Sequence, residues 1–159
     1  MVFIAPFVPS PMSVVEYMLR LADLKAEESL FDLGSGDGRT VIMAASVFGA
    51  RGVGVELRDD LVKKALVTIN DYCLGNRVTI LNDDIFNVNI DEADVVYLYL
   101  TTSANEKLKP KLEHDLKPGT RIVSHDYAIV GWNPEKIETF CENPKLGYPT
   151  HTIYLYRKT

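Results

Sequence analysis

The sequence predicts a doubly wound α/β fold, and three observations carry that prediction. Short apolar runs alternate with segments of helical spacing along most of the chain. The run Leu30–Leu33 passes through Gly34, Gly36 and Gly38, spaced two apart, into a helical pattern. That is the strand, glycine turn and helix of a nucleotide-type cofactor site. Residues 94–100 form a nearly continuous apolar run, as expected of a parallel strand buried on both faces.

Each element has a local reason. Ser10-Pro11 reads as an N-cap followed by proline at the first helical position. Val14, Val15, Met18, Leu19 and Ala22 then mark one helical face. A first strand covers 30–33, and a helix runs from Gly38 to about Phe48. A second strand at 52–57 precedes a helix over about 59–73, where Leu61, Val62, Ala65, Leu66, Ile69 and Tyr72 recur at helical spacing. Asp59 and Asp60 sit at that helix's positive end. A third strand covers 77–81 and a fourth 94–100. Ser103-Ala-Asn-Glu106 matches a capping box. Pro110 lacks the N–H that a helix interior needs, which predicts a short turn and then a separate helix over 110–116. Pro118-Gly119 turns into a fifth strand at 120–125, and 129–157 reads as β-rich, ending in a strand from His151 to Arg157. The expected organisation is one domain, with an N-terminal lid and helix over 1–24 and a core over 25–159.

Composition bounds the function. The 159 residues are 47% hydrophobic and 25% charged, which suits one globular domain with a sizeable core. The net charge of −5, with no basic stripe, argues against direct nucleic-acid binding and would draw cationic partners. Cys73 and Cys141 read as reduced thiols. The apolar start, Met1 to Val8, lacks a basic flank and is interrupted by proline, so it is not read as a signal peptide. No run approaches the roughly 18 apolar residues of a membrane span. The expectation is a cytoplasmic, monomeric protein that neither enters a membrane nor binds a metal.

The glycine turn carries the chemistry. Its helix start offers free N–H groups to an anion, as in dinucleotide sites. Two carboxylates, Asp32 and Asp37, flank it, and a carboxylate about 5 Å from a phosphate costs roughly 3 kcal/mol at an effective dielectric near 20. The charge argues against NAD and for a ligand without phosphates and with positive charge. S-adenosylmethionine meets both conditions. Glu56 closes the second strand 18 residues after Gly38, near the position of a ribose-binding acid. Asp83, Asp84 and Ile85 follow the third strand, where an acid, preferably Asp84, can accept from an adenine amine and Ile85 supplies an apolar edge.

These residues resemble the class I methyltransferases that use S-adenosylmethionine. The resemblance rests on Asp32-Leu-Gly-Ser-Gly-Asp-Gly38, Glu56, Asp84 and Leu116-Lys-Pro-Gly-Thr-Arg-Ile-Val123. It implies a seven-stranded, Rossmann-like sheet of order 3-2-1-4-5-7-6 and S-adenosyl-L-homocysteine as product. Phe7-Val-Pro-Ser-Pro11, Leu108-Lys-Pro-Lys-Leu-Glu113, Val123-Ser-His125 and Gly131-Trp-Asn-Pro134 are similar to the archaeal protein-lysine methyltransferases, themselves related to mitochondrial lysine methyltransferases. The cofactor set implied is Phe7, Pro9, Asp32, Gly34, Ser35, Gly36, Asp37, Gly38, Glu56, Leu57, Asp83, Asp84, Ile85 and Leu100, with Phe7 to Pro11 as a lid.

On the acceptor side, a lysine with pKa near 10.4 needs about 4.6 kcal/mol to deprotonate at pH 7. Desolvation and a nearby sulfonium both reduce that cost, so apolar walls and a few acceptors suffice. Candidates are Tyr99 as a wall, Thr102 and Asn105 as acceptors, and His125 and Trp132 lining the channel; His114 and His151 read as structural. The Asn/Asp-Pro-Pro-aromatic motif of many adenine and glutamine methyltransferases is missing after the fourth strand. The expected activity is lysine methylation of proteins with accessible lysines and broad tolerance; the archaeal resemblance points to small basic chromatin proteins among them. Alternatives are a small-molecule or RNA methyltransferase, and a non-catalytic module that binds S-adenosylmethionine and regulates a partner.

Overall fold

The computed structural model describes residues 5–159; Met1 to Ile4, the first part of the expected lid, lie outside the described residues. The elements in chain order are α1 (Met12–Leu21), β1 (Ser29–Leu33), α2 (Arg39–Phe48), β2 (Arg51–Val55), α3 (Asp59–Asp71), β3 (Val78–Leu81), β4 (Val95–Leu98), α4 (Thr102–Asp115), β5 (Arg121–His125), β6 (Lys136–Phe140) and β7 (His151–Arg157). The seven strands form one sheet in the order β3-β2-β1-β4-β5-β7-β6. β1 to β5 run parallel, and β7 lies antiparallel between β5 and β6. The predicted doubly wound sheet and its order are both observed.

Period-two alternation splits the core between the two faces. Leu30, Val95, Tyr97, Val123 and Ile153 pack with Val14, Val15, Met18 and Leu19 of α1. Phe31, Leu33, Val96, Leu98 and Ile122 pack with Leu108 and Leu112 of α4 on the other face. Asp32 is paired with Gly54 on one side and Tyr97 on the other. The order reverses between β1 and β4, and a ligand crevice is expected beyond the strand ends there.

Several local predictions needed correction. α4 runs unbroken through Pro110. Pro110 and Glu106, whose carbonyl loses its partner, are both exposed, so water can serve that carbonyl. The cap of α4 is Thr101, whose hydroxyl accepts from Ala104 N–H at 3.1 Å, and not the Ser103 box. Ser10 does not cap α1; its side chain turns inward, as described below. β2 ends at Val55 and β4 at Leu98, which frees Glu56, Leu57, Tyr99 and Leu100 to turn into the crevice. Cys73 and Cys141 are free thiols, as expected. No described helix is long and apolar enough to cross a membrane.

Candidate active site

The crevice at the switch point is a pocket of about 820 Å³, open mouth included. The glycine turn forms its floor. Gly34 and Ser35 N–H both donate to Val55 O at 2.9 Å, which ties the turn to the end of β2. Gly36 has φ +56°, and a β-carbon there would lie 2.5 Å from the Phe7 ring. Both the backbone sign and the ring therefore demand glycine. Gly54 meets a different constraint, since a β-carbon would lie 2.6 Å from Ser35 Oγ.

Glu56 is the organising acid. Its Oε1 accepts from Gly36 N–H at 2.7 Å, and its Oε2 accepts from Leu57 and Arg58 N–H, each at 2.9 Å. Three of about four acceptor sites on the carboxylate are thus held by backbone. The expected grip on two ribose hydroxyls at once would require one of these bonds to be shared or given up.

Asp32 is buried beside it. Burial, and next the negative charges of Glu56 and Asp37, raise its pKa well above its ordinary value; the nearby Thr40 hydroxyl offsets this only in part. Asp37 behaves oppositely. Its burial is outweighed by Arg39, which bonds both its oxygens at 3.1 and 2.7 Å, and its pKa is lowered. Arg39 therefore cancels the charge that the sequence reading set against a pyrophosphate at Asp37. Of the two acids set against a phosphate, only Asp32 then remains, and its burial opposes the ionised form that would repel one.

Across the pocket, Asp84 Oδ1 accepts from Phe86 N–H at 3.0 Å, and Asp83 Oδ1 accepts from Asp84 N–H at 2.7 Å. Ile85 and Leu100 add apolar wall, and Phe7 and Pro9 cover one side. Ser35 Oγ is a buried hydroxyl on this wall without a partner among the described residues. Acid-rich walls, apolar edges and a backbone cradle fit an adenosine with a cationic tail better than a phosphate chain.

All but one of the predicted cofactor residues line the pocket. Gly38 does not; a β-carbon on it would lie 2.9 Å from Ala65 Cβ, so it serves the packing of α3. The acceptor candidates scatter more. Tyr99 lines the pocket and lies over His125, with ring centroids 3.8 Å apart. His125 is fully buried behind Tyr99 and is not part of the wall. Thr102 is exposed at the start of α4. Asn105 is buried and donates to the Tyr127 and Ala128 carbonyls at 3.2 and 3.3 Å, holding the loop after β5; its Oδ1 has no partner among the described residues. Trp132 packs edge-on against Tyr156 and donates to Glu113 Oε1 at 2.9 Å, outside the pocket lining.

The sequence reading gives no site role to Thr40 or Tyr97 and takes Ser10 as a helix cap within the lid; all three line the pocket. Tyr97 was findable, because register places it beside Asp32. It also set His151 aside as structural and saw no metal-ligand spacing. The fold brings His125, Asp126 and His151 together, with one ligand atom from each within 4.8 Å of the others.

The comparisons with known proteins agree with this geometry. The model of the ANTKMT methyltransferase domain matches residues 32–136, from the first acid of the turn to β6. The chain belongs to the ANTKMT methyltransferase domain family. It is 44% identical over 152 residues to a protein-lysine N-methyltransferase of Saccharolobus islandicus, covering 95% of this chain and 92% of that one. It is 30% identical over 132 residues to the adenine nucleotide translocase lysine N-methyltransferase of Mus musculus, covering 81% of this chain and 56% of the relative's length. Among solved structures it is similar to an RNA methyltransferase from Salinibacter ruber in complex with S-adenosyl-L-homocysteine. The identity there is 43%, the TM-score 0.88, and the match covers 94% of this chain and 93% of that one.

Proposed function

We propose that this methyltransferase transfers a methyl group from S-adenosylmethionine to lysine side-chain amines of proteins. One observation of the structure carries the reading: the acidic glycine turn and the aromatic Tyr97–Tyr99 edge share a single pocket. The names of the Saccharolobus and mouse relatives support it. When bound, S-adenosylmethionine supplies a methyl group on a sulfonium that is already a good leaving group. The protein's own task is then to bind, orient and free an amine. Glu56 fixes Gly36 and the start of the Arg58 loop, holding the floor rigid. Asp32 offers a carboxyl whose ionised form a cationic ligand would favour. Tyr97 and Tyr99 give a low-dielectric wall, which disfavours an ammonium and favours the nucleophilic free amine.

In this reading Phe7 to Pro11 act as a lid, and 1–159 form one cytoplasmic, monomeric domain. The open mouth suits lysines on exposed segments of several proteins, small basic chromatin proteins among them. The Salinibacter neighbour's name favours RNA as a second reading. Methyl-labelled S-adenosylmethionine incubated with the enzyme and cell extract separates the two. Label is expected in acid-stable protein that resists ribonuclease; label removed by ribonuclease would transfer the assignment to RNA.

A further inference from the structure

A continuous string of hydrogen bonds leaves the pocket at Tyr97 and ends on the surface. The Tyr97 hydroxyl donates to Ser10 Oγ at 2.7 Å, and Ser10 Oγ lies 2.8 Å from His125 Nδ1. His125 Nε2 lies 2.8 Å from His151 Nδ1, and His151 Nε2 lies 2.8 Å from Glu142 Oε2. Tyr97 and Ser10 line the pocket, His125 is fully buried, and Glu142 is exposed. The string joins the N-terminal segment, β4, β5, β7 and the loop after β6.

Counting protons fixes its direction. The Glu142 carboxylate only accepts, so His151 donates from Nε2 and, with a neutral ring, accepts at Nδ1. His125 must then donate from Nε2 and, in its neutral form, accept at Nδ1. Ser10 already accepts from Tyr97 and so gives its own hydroxyl proton to His125. Every donor has one acceptor, and all point outward.

We propose that Ser10, His125, His151 and Glu142 form a proton relay that carries the acceptor amine's proton from the pocket to solvent. The proposal rests on the lysine reading above. Methylation of a primary ammonium releases one proton: the ammonium and the sulfonium become a methylammonium, a thioether and H⁺. The N–H bond breaks as its proton passes to Ser10 Oγ, directly or through one water. Ser10 gives its hydroxyl proton to His125 Nδ1, His125 gives its Nε2 proton to His151 Nδ1, and His151 gives its Nε2 proton to Glu142, which releases it to water. Rotation of the Ser10 hydroxyl and tautomer exchange at the two rings restore the outward orientation.

The surroundings hold the string in place. His125 is fully buried, with His151 and, beyond it, Glu142 on its Nε2 side. Asp126 Oδ2 lies 3.6 Å from His125 Nε2 and 4.0 Å from His151 Nδ1, beside the shared proton. Tyr99 covers the His125 ring, Tyr127 stacks beyond Tyr99, and Arg39 donates to the Ser10 carbonyl at 3.1 Å. A divalent ion among His125, Asp126 and His151 is the competing use of the same atoms. It would need the lone pair of His125 Nε2, which in the outward string carries a proton.

Two measurements decide. Long-range ¹H–¹⁵N spectra of histidine-labelled protein report tautomers without any substrate. Both rings are expected to carry a proton at Nε2 and to leave Nδ1 as the acceptor. A His125 protonated at Nδ1, or loss of its Nε2 proton on adding one equivalent of Zn²⁺, would overturn the relay. Methylation of a lysine peptide is then followed from pH 6.5 to 10 in wild type, Glu142→Gln and His151→Gln. Each variant is expected to lose about 10-fold or more at pH 7 and to recover toward wild type near pH 10, with S-adenosyl-L-homocysteine affinity held within about twofold. Glu142 is exposed, so its variant keeps the fold. A loss of equal size at every pH would mean a structural role and would sink the relay. If wild type methylates no lysine, the lysine reading fails, and the tautomers still judge the relay.

Discussion

At the β1–β2 end of the pocket, contacts form within one compact stretch of chain. Gly36 and Glu56, joined by a hydrogen bond, are 20 residues apart, and the remaining bonds of Glu56 reach the two residues that follow it. At the β5–β7 end, side chains meet across 115, 87 and 26 residues. The first end is built from backbone donors around a carboxylate, so its residue types are dictated by stereochemistry. The second is built from side chains supplied by elements far apart in the chain. The cofactor end is therefore a local property of the sequence, and the proton-handling end is a property of the fold.

Predictions can break that contrast, beginning with the largest effect. Glu56→Ala leaves three backbone N–H groups without their acceptor. Each charge-assisted bond is worth about 1.5–3 kcal/mol, and water entering from the pocket recovers part of it. A net loss of about 3 kcal/mol is expected, lowering Tm by roughly 6–12 °C in a chain of this size, and calorimetry should show S-adenosyl-L-homocysteine binding weakened by about 100-fold. Near-normal Tm with lost binding would mean that Glu56 serves the ligand and not the turn.

Asp32→Asn sharpens the contrast within the cofactor end itself. Asp32 has a folded pKa raised above its unfolded value, chiefly by burial and then by Glu56 and Asp37. Between the two values the folded state holds the extra proton, so stability falls as pH rises through that window. The neutral asparagine removes this penalty. The variant should melt higher at pH 7, by about 2–4 °C for each 1 kcal/mol gained, while binding S-adenosylmethionine about 10-fold more weakly. A lower Tm would show that the ionised carboxylate supports the fold.

His125 provides the matching test at the other end, with a smaller effect. Its folded pKa is depressed to about 4 from an ordinary 6.5. As pH falls from 6.5 toward 4, the unfolded chain takes up a proton that the folded chain refuses, and stability is lost over that window. Denaturant unfolding at pH 7 and pH 4.5 should show the loss in wild type and a flatter profile in His125→Asn. Equal slopes would place the acid sensitivity elsewhere.

The unequal legibility of the two ends follows from the same contrast. The strands, the turn, Glu56 and the acids after β3 were readable because glycine spacing and apolar runs report backbone geometry directly. Pro110 misled because its cost depends on whether the freed carbonyl faces water, which only the packed helix reveals. Ser10 misled because a serine before a proline suits a cap, yet here the hydroxyl has a better partner in His125, 115 residues away. Asp37 misled in the opposite direction, its charge held by Arg39 only two residues on. His151 carries no local signal at all; its place beside His125 comes from the antiparallel pairing of β5 with β7.

Everything above turns on whether this pocket delivers a methyl group to a lysine amine. The direct measurement is mass spectrometry of a purified, lysine-rich basic protein after incubation with the enzyme and S-adenosylmethionine, mapped to single residues. Added mass is expected in steps of one methyl group (~14 Da each), confined to lysine side chains at several sites. Unmodified protein, alongside methylated RNA in a parallel reaction, would contradict it.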